Sequence, residues 1–351
     1  MALGASRLAA LSLRQAVYAR SVNRHHPAET GARGTPTLRI GLFTLSTVLL
    51  LIVVGGFTRG SGSGYGCADR WPLCEGGLAG GWLPRADYHM IVEWSHRWLA
   101  AVVGVLVIAT AASAWRHHRH HHRVVPPLAA AAVLTLLFQA WLGRAVVRAQ
   151  LDADLVSLHL AISLTLAGLL TAIVILVRFD QAEHRDGDTS WPALVTGGAG
   201  AVFAVIMLGS LVHNQYFSGW PLMSGELIPE LDSTPVAIHF AHRLVSGLVA
   251  FAVVGLWWAA RRRVRPNHEV IMLGVAATLY LINVLVGAAH VFTQVRSAAM
   301  VALHLGLAST VWVLAGATAV SAARTSGGDP DTGGGSSARL AGHSPTGRES
   351  S

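Results

Sequence analysis

Ile40-Gly-Leu-Phe-Thr-Leu-Ser-Thr-Val-Leu-Leu-Leu-Ile-Val-Val54 carries no charged side chain, and its flanks extend the apolar run from Arg39 toward Arg59. A helix needs about 20 such residues to cross the hydrocarbon core of a bilayer. Val301–Ala319 repeats the pattern near the other end. Of the 351 residues, 52% are hydrophobic and only 13% charged, against about 25% charged in an ordinary soluble domain. The solvent for most of this chain is therefore lipid. Apolar windows bounded by charge or Gly/Pro clusters predict transmembrane helices at 38–58, 91–115, 125–147, 155–178, 192–213, 236–260, 269–292 and 298–322. The fold class is an all-α integral membrane protein with eight spans, and a soluble enzyme is excluded.

The formal net charge is +8 and all 26 basic residues are Arg. In a soluble domain that balance would suggest nucleic acid; here most Arg sit in short loops between apolar spans, as topology signals. No nucleic-acid partner is expected. The N-terminal tail, the loops after helices two, four and six, and the C-terminal tail hold 18 of the 26 Arg, so both termini should be cytoplasmic. The loops Thr58–Met90 and Asn214–Pro235 then face outward. The resulting units are a basic tail (1–37), a four-helix half (38–178), a linker (179–191), a second half (192–322) and a disordered tail (323–351). The first 36 residues have no acid before Glu29, which suits a basic cytoplasmic tail or a mitochondrial presequence. A bacterial cytoplasmic membrane is the expected location, with the mitochondrial inner membrane as the alternative. The His-rich tract Arg116–Arg123 reads as a solvated turn rather than a metal site.

Comparing the chain with itself reveals an internal repeat. Trp71-Pro-Leu-Cys-Glu-Gly76 recurs as Trp220-Pro-Leu-Met-Ser-Gly225, Glu93-Trp-Ser-His96-Arg97 as His239-Phe-Ala-His242-Arg243, and Val156-Ser-Leu-His159-Leu160 as Val301-Ala-Leu-His304-Leu305, at shifts of 149, 146 and 145 residues. Each unit has an even number of spans, so the halves share orientation. Two four-helix bundles related by a pseudo-twofold axis along the membrane normal, a parallel repeat, follow.

Each half places two His inside apolar helices, His96 with His159 and His242 with His304, separated by 63 and 62 residues. All four should lie about five to seven residues into an even-numbered helix, at ~8–10 Å below its outer end and at one depth. Ionisable residues inside a bilayer are expensive and tend to be functional. Two imidazoles facing each other across a bundle are the ligand set of a six-coordinate haem iron; a proton relay or structural hydrogen bonding is the competing reading. Zinc is disfavoured, since no Cys or recurring carboxylate accompanies these His.

The halves differ at one chemical position. Glu93 precedes His96 by three residues, whereas His239 occupies that place in the second half. A carboxylate beside one haem only suggests that the first site reacts and the second moves electrons; an ion pair with Arg97 is the plainer role. Arg97 and Arg243, each next to a proposed ligand, are placed to hold haem propionates or simply to snorkel to the interface. Cys67 and Cys74 lie in the first outward loop, where a disulfide persists. Met223 replaces Cys74 in the second half, which leaves two readings open, a loop-closing disulfide or thiol–disulfide exchange with an external partner.

Taken together, Gly-Ser-Gly-Tyr-Gly-Cys67-Ala-Asp-Arg-Trp-Pro-Leu-Cys74, Glu93-x-x-His96-Arg97, His239-x-x-His242-Arg243, His159 and His304 resemble the heme A synthase family, eight-helix membrane enzymes that convert heme O to heme A for terminal oxidases. The resemblance covers roughly 40–322. It implies an oxidoreductase in which His96 and His159 serve the substrate haem, heme O, His242 and His304 hold a haem b, and Glu93 is the essential carboxylate. The implied chemistry takes a ring methyl through hydroxylated intermediates to an aldehyde. Implied partners are heme O synthase (protoheme farnesyltransferase), terminal oxidase assembly factors and an external electron or thiol–disulfide partner; a homo-oligomer is allowed. The second outward loop has no cysteine pair, so the chain resembles the subgroup with one pair. The competing class is a diheme b-type cytochrome carrying electrons between quinol and an external partner. A haem or proton transporter would instead place polar residues at the membrane midplane, where this chain has mostly Ala, Val, Leu and Gly.

Overall fold

Each of the eight apolar windows is helical in the computed structural model, which describes residues 31–120, 122–179, 188–212, 219–294 and 296–325, with backbone alone for 31–35. The helices are α1 (Gly31–Gly60), α2 (Tyr88–His118), α3 (Val125–Arg148), α4 (Ala153–Arg178), α5 (Ser190–Ser210), α6 (Thr234–Arg262), α7 (Asn267–Phe292) and α8 (Ala298–Thr325). All are long and apolar enough to cross a membrane. Among the described residues there is no strand, only the isolated bridges Leu78–Leu83 and Met223–Glu226. Most of both terminal tails and of the 179–191 linker lies outside the described residues.

The helix ends follow local chemistry. Asp87 accepts the Met90 N–H at 2.8 Å and so starts α2 three residues before the predicted 91; Arg116, His117 and His118 carry it past 115, where cations suit a helix C-terminus. Asp152 caps α4 through the N–H groups of Asp154 and Leu155. Pro sits in the first turn of α3 and α6, where its missing N–H costs nothing.

Helices α1 to α4 form one ring of neighbours and α5 to α8 another, each element touching the next and the last closing on the first. The same order in both rings is consistent with the repeat. The rings join where α1 and α4 pack on α8, while α4 and α5 meet only slightly. In lipid the drive for this packing is close contact and interhelical hydrogen bonding rather than release of water. Thr44 and Thr110 pair at 2.8 Å, as do Thr37 and Ser113, linking α1 to α2. Trp312 Nε1 donates to the Leu164 carbonyl at 3.0 Å and Arg324 Nη1 to that of Leu176 at 3.0 Å, linking α8 to α4. Glycine lets α1 and α8 approach: a Cβ at Gly56 would stand 3.4 Å from the Ala302 Cα, and one at Gly60 3.0 Å from the Ala298 Cα.

Opposite the long loops, the second ring is closed by a buried ion pair. Glu269 Oε2 accepts from Trp191 Nε1 at 2.9 Å and Arg265 Nε at 3.1 Å, and Oε1 accepts from the Ser321 hydroxyl at 2.9 Å. This ties α5, the α6–α7 turn and α8 together. Nearby, Asp188 accepts from Ser190 and pairs with Arg263 at 2.8 Å, and these contacts hold its carboxyl below the usual range.

Candidate functional site

Glu93 lies on α2 beneath the first long loop, only 4% exposed. Its Oε2 accepts the Cys67 N–H at 2.6 Å, and its Oε1 accepts from Arg97 Nε at 3.0 Å and Nη2 at 2.5 Å. The remaining Arg97 nitrogen donates to the carbonyls of Arg70 at 2.8 Å and Leu73 at 2.9 Å. The ion-pair geometry expected as the plainer role of Glu93 is thus formed, and it also anchors the loop. Cys67 and Cys74 are joined in a disulfide within that loop, and both are fully buried. Gly66 makes the contact sterically open, since a Cβ there would come 2.2 Å from the His89 carbonyl oxygen. Only glycine lets the loop lie on the first turn of α2 and present the Cys67 N–H to Glu93.

The second half repeats the arrangement with one exchange. Arg243 Nη1 donates to the Gly219 carbonyl at 3.0 Å, as Arg97 does to that of Arg70, and Arg243 Nε donates to His239 Nε2 at 3.2 Å, as Arg97 does to Glu93. His239 therefore fills the acceptor position of Glu93 without its charge. The Arg243 Nη2 is buried with no hydrogen-bond partner among the described residues, a cationic donor that fits an anionic group.

Between α5, α6, α7 and α8 lies a cavity of about 570 Å³ lined by His239, His242, His290 and His304, with Gly56, Arg59 and Gly60 of α1 also on its wall. His242 and His304 are close enough to interact electrostatically, as are His96 and His159 in the first ring. The Nδ1 atoms of all four are buried without a close hydrogen-bond partner among the described residues. In the second ring, paired imidazoles around a cavity of mixed apolar and polar lining suit a tetrapyrrole iron. Among the described residues no group of three His, Cys, Asp or Glu is gathered around a bare metal ion.

Two details differ from the sequence expectation. The His lie eight, six, eight and six residues past the starts of α2, α4, α6 and α8, because Asp87 and Pro235 start α2 and α6 early. That puts them ~12 and ~9 Å from the starts of their own helices, equal in the two halves. The structure also adds an imidazole that the sequence reading does not name, the His290 ring on α7, which meets His304 edge-on at 6.0 Å between centroids. His290 stands three residues after Gly287 on the helix facing His304, a spacing visible in the sequence once that facing pair is known. In the His-rich tract, His117 Nδ1 lies 2.8 Å from the Ser113 carbonyl oxygen and Arg119 donates to His120 at 2.8 Å; His121 is outside the described residues.

Eight spanning helices in two rings, each with a buried histidine pair below a loop anchored by arginine, define a polytopic membrane protein with two matched sites of unequal chemistry. The chain belongs to the COX15-CtaA family of cytochrome oxidase assembly proteins, whose family model matches residues 83–324. It is similar to the heme A synthase of Symbiobacterium thermophilum, with 34% identity over 78% of this chain and 91% of the relative. It is also similar to those of Alkalihalophilus pseudofirmus, with 30% identity over 73% and 88%, and Halalkalibacterium halodurans, with 35% identity over 63% and 76%.

Proposed function

We propose that this protein is a heme A synthase, oxidising a ring methyl of heme O to a formyl group through hydroxylated intermediates and so supplying heme A for terminal oxidase biogenesis. The observation that carries the reading is the exchange of Glu93 for His239 in two otherwise matched sites. An electron carrier needs four His but has no use for a carboxylate at one site alone.

His96 and His159 are the ligands for the substrate iron, and His242 and His304 those for haem b. When bound, haem b supplies one-electron transfer. Glu93 is the catalytic carboxylate. Its orientation is fixed by Cys67 and Arg97, while Oε2, with the Cys67 N–H in place, keeps a lone pair for the proton released as the reacting carbon or its alcohol gives up its electrons to the external electron partner. Alternatively its charge stabilises a cation developing at the ring edge. Arg243 offers its Nη2 to a propionate, whereas an Arg97–propionate contact would compete with Glu93 and the loop carbonyls. The cytoplasmic membrane of a bacterium, with both termini inside, is the matching location. Heme O synthase, oxidase assembly factors and an external electron or thiol–disulfide partner are the matching partners.

The test is the haem extracted from membranes containing the protein and supplied with heme O. Heme A or a hydroxylated heme O is the expected result. Heme B alone, in protein loaded at both sites, would overturn the reading in favour of the diheme cytochrome.

A further inference from the structure

We propose that Gly55, Gly143, Gly209 and Gly287 are positioning residues for the four histidines: each seats one imidazole against the neighbouring helix and so decides that Nε2 is the nitrogen offered to iron. The inference rests on the haem-ligand reading above. Each of the four His stands on an even-numbered helix, and each meets a glycine on the odd-numbered helix before it. A Cβ would lie 3.2 Å from His96 Cε1 at Gly55, 3.2 Å from His159 Cε1 at Gly143, 2.8 Å from His242 Cε1 at Gly209 and 3.1 Å from His304 Cε1 at Gly287. All four separations are shorter than ordinary van der Waals contact, so a methyl group would displace the ring.

The rings are also turned the same way. The Gly209 position is 3.2 Å from His242 Nδ1 and 3.5 Å from Nε2; the Gly287 position is 3.7 Å from His304 Nδ1 and 3.9 Å from Nε2. At Gly55 and Gly143 only Cε1 and Nδ1 of the facing ring come within 4 Å. The Nδ1 of every ring is buried without a close hydrogen-bond partner among the described residues, and no Nε2 of the four shares that state. His242 and His304 further lie within long hydrogen-bond reach of the Val205 and Asn283 backbones, one turn before their glycines. Nδ1 is thus the ring nitrogen nearer the glycine helix in all four and Nε2 the one farther from it, the arrangement by which surrounding groups fix tautomer and ring plane of a metal ligand. Glycine in these helices does not produce such contacts by default, since Gly104, Gly197, Gly200, Gly247 and Gly255 have nothing within 4 Å of a built Cβ.

The experiment uses the full-length, detergent-purified protein and compares Gly209→Ala and Gly287→Ala with Gly200→Ala, which lies on the same helix as Gly209. Low-spin haem per protein, its electron paramagnetic g-values and its midpoint potential are measured, none of which requires turnover. The two seat variants should lose about 10-fold or more in haem affinity, as when groups that orient a ligand are disturbed, or show shifted g-values and potential, and Gly200→Ala should match the parent. Parent-like haem content and g-values in both seat variants would overturn the proposal. If Gly209→Ala folds poorly, its effect on Tm is read again in a His242→Ala background, where no ring opposes the methyl. A Tm loss confined to the His242 protein supports the seat, and an equal loss in both backgrounds overturns it. Full low-spin haem in His242→Ala would instead sink the ligand assignment itself, so the two failures are separable.

Discussion

Glu93 and His239 occupy the same place four residues before an arginine and accept the same Nε–H bond, yet only one is a carboxylate. Glu93→Gln keeps the volume and an acceptor for Arg97 while removing the charge and the capacity to take a proton. Haem content of both halves should therefore stay near the parent, and heme A formation should fall by at least ~10²-fold, the range typical of losing a positioned general base. Bound haem and haem product measured in one preparation test this, and near-normal heme A would remove Glu93 from the chemistry. Glu93→Ala should behave differently, because it leaves the nearly buried Arg97 guanidinium without its counter-charge at a cost of about 3 kcal/mol. A lower Tm in detergent, beyond that of Glu93→Gln, is the expected sign.

At the scale of elements, two clamps hold the ends of the bundles. The disulfide loop presents the Cys67 N–H to Glu93 at the long-loop end. Replacing both cysteines by Ser removes a short covalent ring worth about 2 kcal/mol by loop closure and should lower heme A formation as Glu93 loses a fixed partner. Mass spectrometry with and without reductant should find the bond in the parent; full activity of the double variant in cells would leave the bridge structural and end any exchange role. The opposite clamp is Glu269 with Arg265, both essentially unexposed. Glu269→Ala strands a buried guanidinium and a Trp191 N–H, so a loss of about 3–5 kcal/mol is expected. Thermal melting in detergent should show it, and a Tm within a degree or two of the parent would mean that water or lipid headgroups compensate.

The whole molecule depends on how closely α1 approaches α8, because α1 walls the cavity of the second ring through Gly56, Arg59 and Gly60 while its Gly55 faces His96 of the first site. Adjacent residues thus touch both sites. Gly56→Val inserts a branched side chain where even a Cβ lies 3.0 Å from Leu305, an overpacking cost of about 1–3 kcal/mol. The expected outcome is coupled damage, with both low-spin haem in the second half and heme A formation reduced. Loss of one with the other intact would show that the halves tolerate separation.

The sequence by itself determined the solvent, the number of spans and the duplicated histidine pairs, because a bilayer imposes a length of apolar residues that no local packing alters. Even the helix boundaries missed by a few residues, at Asp87 and Pro235, where capping chemistry extends a helix beyond its apolar window. Glu93, His96, His159, His242 and His304 were legible since ionisable groups stand out against apolar helices. His290 and the four glycine seats were not. Gly143 and Gly287 are offset by 144 residues and Gly55 and Gly209 by 154, while the histidines they face are offset by 145 or 146, so the repeat does not align every seat with its ring. A glycine in an apolar helix also carries no signal of its own. Only the tertiary structure says which helix faces which, and that decides whether a missing Cβ is empty space or the floor beneath an imidazole.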